Sequence, residues 1–281
     1  MKRWIALGLM MFCCVARADD ARWYLQLDND AAFGTDRWYT GGQRISRVQD
    51  DLEIGVLQEI YTPDGKKAPA LRDRAPTARL IASVARHFYS EDLFQTLELG
   101  VGVRGPSAMG RRTTQAVHHV ITAAHVDWSR QLGDALDAHV AAVRSQSLFA
   151  DFFKIHYGAV LGSQETYAHA GFELRVGDKT LASPQLRFAP TPPFSRGSPC
   201  NWSAYVGVSE RALARNELIG RNYNRFGPEL EHRRTVGRVA TGFSYRAKWG
   251  VVALDLVSES QEFNGQGEPM RFGSITIHVP F

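Results

Sequence analysis

The chain has 281 residues, 44% apolar, 11% aromatic and 22% charged, with 25 Gly and 12 Pro, which excludes a disordered or collagen-like polymer and leaves room for one large domain. Of the formal net charge of +4, three positive charges (Lys2, Arg3 and Arg17) fall in the first 18 residues. The remainder is nearly neutral and lacks the clustered basic face that a nucleic-acid partner requires.

Lys2 and Arg3, the apolar run from Trp4 to Val15, and Ala16-Arg17-Ala18 predict a secretory signal peptide over 1–18, with a single domain over 19–281. The apolar run is shorter than the roughly 20 residues a membrane-spanning helix needs. Cys13 and Cys14 fall inside this leader, so the exported chain keeps only Cys200 and forms no internal disulfide.

Along the rest of the chain, apolar and polar residues alternate with period two, the signature of strands with one apolar face. Trp23, Leu25 and Leu27 share a face, as do Leu97, Leu99, Val101 and Val103. So do Phe172, Leu174 and Val176 (against Glu173 and Arg175), and Trp202, Ala204, Val206 and Val208. The final set is Ile275, Ile277, Val279 and Phe281. Alternation fits a soluble β-sandwich as well as a membrane barrel. The leader, the aromatic-terminated last strand and aromatics near segment ends (Trp23, Trp38, Tyr39, Tyr61, Phe88, Tyr89, Trp128, Trp202 and Trp249) favour an all-β fold, an antiparallel transmembrane β-barrel. The turn-rich stretches Thr62 to Thr77, Ser183 to Pro199 and Asn216 to Pro228 are then expected as loops on the outer face.

Three polar constellations stand out. Asp28-Asn29-Asp30, followed by Thr40 on the next segment, offers hard oxygens suited to Ca²⁺, or an Asx turn closing a hairpin. Gly105-Pro106-Ser107 leads through Gln115 to His118-His119; if this stretch is extended, Gln115 and His119 share a face and His119 points inward, as a general base or a metal ligand, the alternative being a pair of girdle or rim histidines. Asp127-Trp128-Ser129-Arg130-Gln131-Leu132 reads as an interfacial Trp at a strand start, and Lys66 and Lys67 stand in a Pro- and Gly-flanked loop. Soluble-hydrolase and nucleotide-binding motifs are absent, and Ser107 lacks a third partner for a triad.

In this order, Asn29-Asp30, Tyr39-Thr40-Gly41-Gly42, Ile60-Tyr61-Thr62-Pro63 with Gly65, Gly105-Pro106, Gln115 with His119, and Trp128 with Gln131-Leu132 resemble the outer-membrane lipid A 3′-O-deacylase family, the LpxR-like proteins. The resemblance implies a twelve-stranded outer-membrane barrel that uses Ca²⁺ to hydrolyse the 3′ ester of lipid A, in lipopolysaccharide, and releases an acyloxyacyl chain. It implies Asn29, Asp30 and Thr40 at the site, with Asp30 and Thr40 on the metal and Asn29 facing the oxyanion. His119 is the implied catalytic base, with His118 in its place when the segment is counted without a gap from Gly105-Pro106. Lys66 or Lys67 is the implied substrate lysine. Asp127 and His125 depart from the family pattern. The implied setting is a monomer among outer-membrane lipids; a non-catalytic channel or adhesin scaffold, or an esterase acting on phospholipid, are the alternatives.

Overall fold

The computed structural model describes residues 21–35, 37–64, 73–90, 92–121, 126–149, 152–178, 201–219 and 230–280. The leader, Lys66, Lys67 and His125 lie outside them. Twelve strands form one closed antiparallel barrel: β1 (Arg22–Asn29), β2 (Trp38–Gln49), β3 (Leu52–Thr62), β4 (Thr77–Tyr89), β5 (Leu93–Arg104), β6 (Ala135–Leu148), β7 (Phe153–Gly162), β8 (Glu165–Gly177), β9 (Trp202–Asn216), β10 (Thr235–Ala247), β11 (Gly250–Glu259) and β12 (Met270–Pro280). Each strand pairs with its sequence neighbours and β1 closes on β12, Arg22 opposite Pro280. Closure leaves no strand edge, which a wall in lipid requires. Among the described residues no helix is long and apolar enough to cross a membrane.

Strand alternation sorts the side chains by solvent. Ile54, Val56, Leu97, Leu99, Val101, Leu136, Leu161, Val206, Leu254 and Leu256 stand exposed on the outer wall, whereas Arg44, Glu53, Arg79, Glu98, Asp137, Glu165, Glu173 and Arg211 are buried in the lumen. Apolar residues outside and charged residues inside is the pattern of a membrane barrel and the inverse of a soluble sandwich. The lumenal charges are paired across it: Arg44 donates to Glu53 at 2.9 Å and Glu98 at 3.0 Å, and Arg79 donates to Asp137 at 2.7 Å and Glu165 at 2.8 Å.

The two ends of the barrel differ. The end at which β1 begins and β12 finishes has the short connections from β2 to β3, β4 to β5, β6 to β7 and β10 to β11, with Phe88, Tyr89, Phe149, Trp202 and Trp249 exposed beside them. Such an aromatic rim marks a membrane interface. β8 ends at Gly177 and β9 begins at Trp202 on this same end, and the proline-rich 183–199 stretch between them lies outside the described residues. At the opposite end Trp38, Tyr39, Tyr61 and Trp128 are buried and form no rim. The first three pack with Tyr205, Leu218, Ile219, Phe263, Met270 and Phe272 into a core that caps the lumen under the long loops.

The β5–β6 connection departs most from the expected strands. After Arg104 comes a short 3₁₀ turn, Pro106–Ala108, and then helix α1, Gly110–Ile121. Ser107 donates its backbone N–H to Asp134 Oδ1 at 2.8 Å and its hydroxyl to Oδ2 at 2.9 Å. Ser107 is therefore a clasp closing this excursion at its base. The helix lies against the outer wall: Gln58, Ile60 and Ala78 have the lipid-facing parity of Val56 and Val84, yet all three are buried. Ile60 and Ala78 are covered by Ala108 and Trp128. Trp128 is a pillar under the helix, not an interfacial anchor.

Candidate functional site: a cleft between the wall and helix α1

The end of β1 and the start of β2 are cut to fit one another. On β1, Tyr24, Gln26 and Asp28 face the lumen in a hydrogen-bonded line: Tyr24 Oη donates to Gln26 Oε1 at 2.8 Å, and Gln26 Nε2 to Asp28 Oδ1 at 2.9 Å. Tyr39 Oη donates to the other Asp28 oxygen at 2.7 Å. Gly42, opposite Asp28, leaves room for that bond, because a Cβ there would collide with the Tyr39 hydroxyl. The β2–β3 register slips between Tyr39 and Gly41, so Thr40 is the extra residue of a bulge. A bulge re-aims side chains at a sheet end. Tyr39 therefore enters the lumen while Thr40 turns to the outer face, where its hydroxyl meets that of Thr62.

Asn29 comes next on the outer face. Its Oδ1 accepts from Ala31 N at 2.8 Å, capping a 3₁₀ turn, and its Nδ2 donates to the Thr40 carbonyl at 3.1 Å. Gly41, opposite Asn29, keeps this spot clear: a Cβ there would lie 3.0 Å from Asp28 O and 3.6 Å from Asn29 Nδ2. Asp30 is 2% exposed, and its Oδ2 accepts the Arg37 N–H at 2.7 Å, so its loop is held by its own carboxylate.

Helix α1 forms the other wall. A cavity of about 320 Å³ lies between them, lined by Asn29, Asp30, Thr40, Gln43, Thr114 and His118 among others. The structure thus brings together three of the four groups expected at the catalytic centre. His119 is not among them: its expected inward aim rested on an extended segment, and the segment is helical. With 3.6 residues per turn, His118 follows Thr114 by one turn and faces the wall, whereas Gln115 and His119 share the opposite, exposed face. His118 is 6% exposed. The residues missed in the sequence are Thr113, Thr114, Val117, Gln43 and Gln58, all lining the cavity. Thr114, Val117, His118 and Ile121 stand at i, i+3, i+4 and i+7, the spacing that signals an amphipathic helix.

Nearby, Asp127 accepts the Ser129 N–H at 2.8 Å, which holds its carboxyl below the usual carboxylate range. It shapes the turn after Trp128 and does not line the cavity.

The donors on the wall side are hard oxygens: the Asp30 carboxylate, the Asn29 carboxamide, and the Thr40 hydroxyl and carbonyl. In kind they fit Ca²⁺ and not a thiophilic metal. Among the described residues no group of three or more His, Cys, Asp or Glu is arranged to hold a metal ion, so such an ion would rely largely on neutral oxygens.

A closed twelve-stranded barrel, with an apolar outer wall and a polar cleft opening on that wall near one rim, defines an integral outer-membrane protein whose site faces the lipid side. A family profile described as "Outer membrane protein LpxR" matches residues 4–281, and the chain belongs to that family. Its fold is similar to that of LpxR from Salmonella typhimurium, with a TM-score of 0.74 at 19% identity over 92% of this chain and 100% of that one. The toluene transporter TodX of P. putida aligns at a TM-score of 0.42 and 11% identity, over 94% of this chain and 91% of that one. Comparison with curated proteins gave no match.

Proposed function

We propose that this outer-membrane protein is a lipid A deacylase that hydrolyses the 3′ ester and releases an acyloxyacyl chain. The observation that carries this reading is the place of the cavity: a buried imidazole and an Asn-Asp-Thr oxygen set face each other on the lipid-facing side of the wall, where an outer-leaflet acyl ester lies. Family membership supports the same class of reaction.

His118 takes the proton of a water molecule as that water adds to the ester carbonyl, and returns it to the leaving sugar hydroxyl. One water is consumed, and a free carboxylic acid and an alcohol are formed, with no acyl-enzyme. Asn29, with one amide hydrogen on Thr40 O, directs its other toward the developing oxyanion. Asp30 and Thr40 would hold Ca²⁺, which supplies Lewis-acid polarisation of the carbonyl when bound. The apolar outer wall below the cleft (Leu27, Ile45 and Val56) accepts the acyl chain without moving it out of lipid. One chain carries the set, so the monomer is the working unit in this reading.

A non-catalytic channel accords poorly with a lumen crossed by buried ion pairs. Mass spectrometry of lipid A from cells expressing the wild type and His118→Ala tests the proposal. Loss of one 3′-linked acyloxyacyl group with the wild type and full acylation with the variant is the expected result; full acylation in both would overturn it.

A further inference from the structure

Two glutamines stand where a lipid-facing wall should carry apolar side chains. Gln43 on β2 lies in register between Leu27 on β1 and Gln58 on β3, a row on the outer face. Leu27 and Ile45, its neighbours on that face, are both exposed apolar residues of the lipid band. A carboxamide in such a position costs free energy unless its polar atoms are matched.

Gln58 is matched completely at its two ends. Its Nε2 donates to the Ala108 carbonyl at 2.6 Å, below helix α1, and its Oε1 accepts from Gln43 Nε2 at 2.6 Å. The first bond fixes which end of the Gln58 amide is nitrogen, and the second then fixes the amide of Gln43. Gln43 is exposed within the cavity and makes no other hydrogen bond among the described residues. Its Oε1 and its second N–H are therefore presented together toward the cleft, one acceptor beside one donor. The chemical group that complements a carboxamide in this orientation is another amide.

We infer that Gln43, oriented by Gln58, is a specificity residue that recognises a secondary amide next to the scissile ester, so that the site selects an N-acylated amino sugar over an all-ester lipid. The inference rests on the proposed deacylase activity and adds to it the feature of the substrate that is read. The acyl amide of such a sugar offers an N–H to Gln43 Oε1 and a carbonyl to its N–H. The esters of a glycerophospholipid offer only acceptors, so Gln43 Oε1 would be left unpaired beneath the bound lipid. Gln58 touches no substrate in this arrangement and acts as a positioning residue.

The test separates binding from hydrolysis. Full-length protein in detergent micelles is titrated with two synthetic lipids, each a 3-O-alkyl ether in place of the cleavable ester, one N-acylated and the other O-acylated at position 2 of the sugar. The wild type should bind the N-acyl lipid about 10- to 30-fold more tightly, corresponding to one or two matched hydrogen bonds. In Gln43→Leu that ratio should collapse towards one, and in Gln43→Glu, which keeps the acceptor and loses the donor, it should be intermediate. Gln58→Leu should lower the ratio through misorientation, with heat-modifiable gel migration showing that each barrel is folded. Equal binding of the two lipids by the wild type, or an unchanged ratio in Gln43→Leu, would overturn the inference. A wild type that shows the preference but leaves the corresponding esters uncut would instead refute the deacylase reading and leave the recognition standing.

Discussion

Consecutive residues of a helix point about 100° apart, and that angle separates two adjacent histidines into a cavity wall and a solvent face. His118→Ala should lower the deacylation rate by about 10²–10⁴-fold, the usual contribution of a positioned acid–base group, while His119→Ala should leave the rate within about twofold. Release of 3′ acyl chains from lipid A by purified protein measures both, and equal losses would refute the assignment. The oxygen side of the cleft leads to a second expectation. An ion held by one carboxylate and neutral oxygens belongs to the weak end of Ca²⁺ sites, near 10⁻⁴–10⁻³ M. Chelation should therefore abolish activity, millimolar Ca²⁺ should restore it, and Asp30→Asn should raise the Ca²⁺ concentration needed; activity unaffected by chelator would exclude the ion. Much at this scale was legible beforehand. Asn29, Asp30 and Thr40 lie on short-range hairpin geometry, where a strand end and an Asx turn declare themselves. The histidine did not, because choosing between neighbours needs the period of the segment, and Gln115 with His119 mimics a strand face while sharing the wrong face of a helix.

Helix α1 is an attachment, and its mounting is a matter of packing. Gly110 rests so close to the wall that a Cβ there would collide with Ala78 and reach 3.1 Å from the Trp128 ring. Trp128 fills the space between Ala108, Ile60 and Ala78, and the next segment is pinned by Leu132 N donating to Pro76 O at 3.0 Å. Trp128→Ala would remove a buried indole in a class of substitution that costs about 3–5 kcal/mol in a core. Here the helix can leave while the strands stay paired, so the expected outcome is loss of deacylation with the barrel still heat-modifiable on a gel. A smaller fall is expected for Asp134→Ala, which unlocks only the exposed Ser107 clasp. If Trp128→Ala retained full activity, α1 would not be positioned by this pillar. The strands were readable because each buries one face against lipid and the other against a polar lumen, which enforces period two. The helix faces a wall on one side and is exposed on the other over only 12 residues, and its β-branched Thr113, Thr114 and Val117 do not advertise helix. Its i, i+3, i+4, i+7 stripe was the available signal.

At the scale of the whole barrel, interior polarity acts as a brace. Arg79 on β4 reaches Asp137 on β6 and Glu165 on β8, and Arg211 on β9 reaches Glu259 on β11 and Glu262 in the next loop, both at close to 3 Å. Arg74, from the β3–β4 connection, donates to that same Glu262 at 3.1 Å and to the Leu218 carbonyl at 3.3 Å. These bonds join strands that are not neighbours, so they hold the barrel's cross-section in a way that backbone ladders alone do not. A fixed cross-section matters for the cleft, whose oxygen set is carried by β1, the 3₁₀ turn after it and β2, while its imidazole hangs from the β5–β6 connection. Removing one partner of a buried pair leaves the others charged and unmatched, at a cost of about 3–5 kcal/mol, whereas an exposed pair contributes about 0–1 kcal/mol. Arg79→Ala should therefore lower the unfolding midpoint in lipid vesicles markedly, and Arg86→Ala, which breaks the exposed pair with Asp51, should not. The same network opposes ion flow, since any open path would have to pass between Arg44, Glu53 and Glu98, each 3% exposed or less. Planar-bilayer recordings of the wild type should accordingly show almost no steady current, and a stable large conductance would contradict the braced lumen and revive the channel reading.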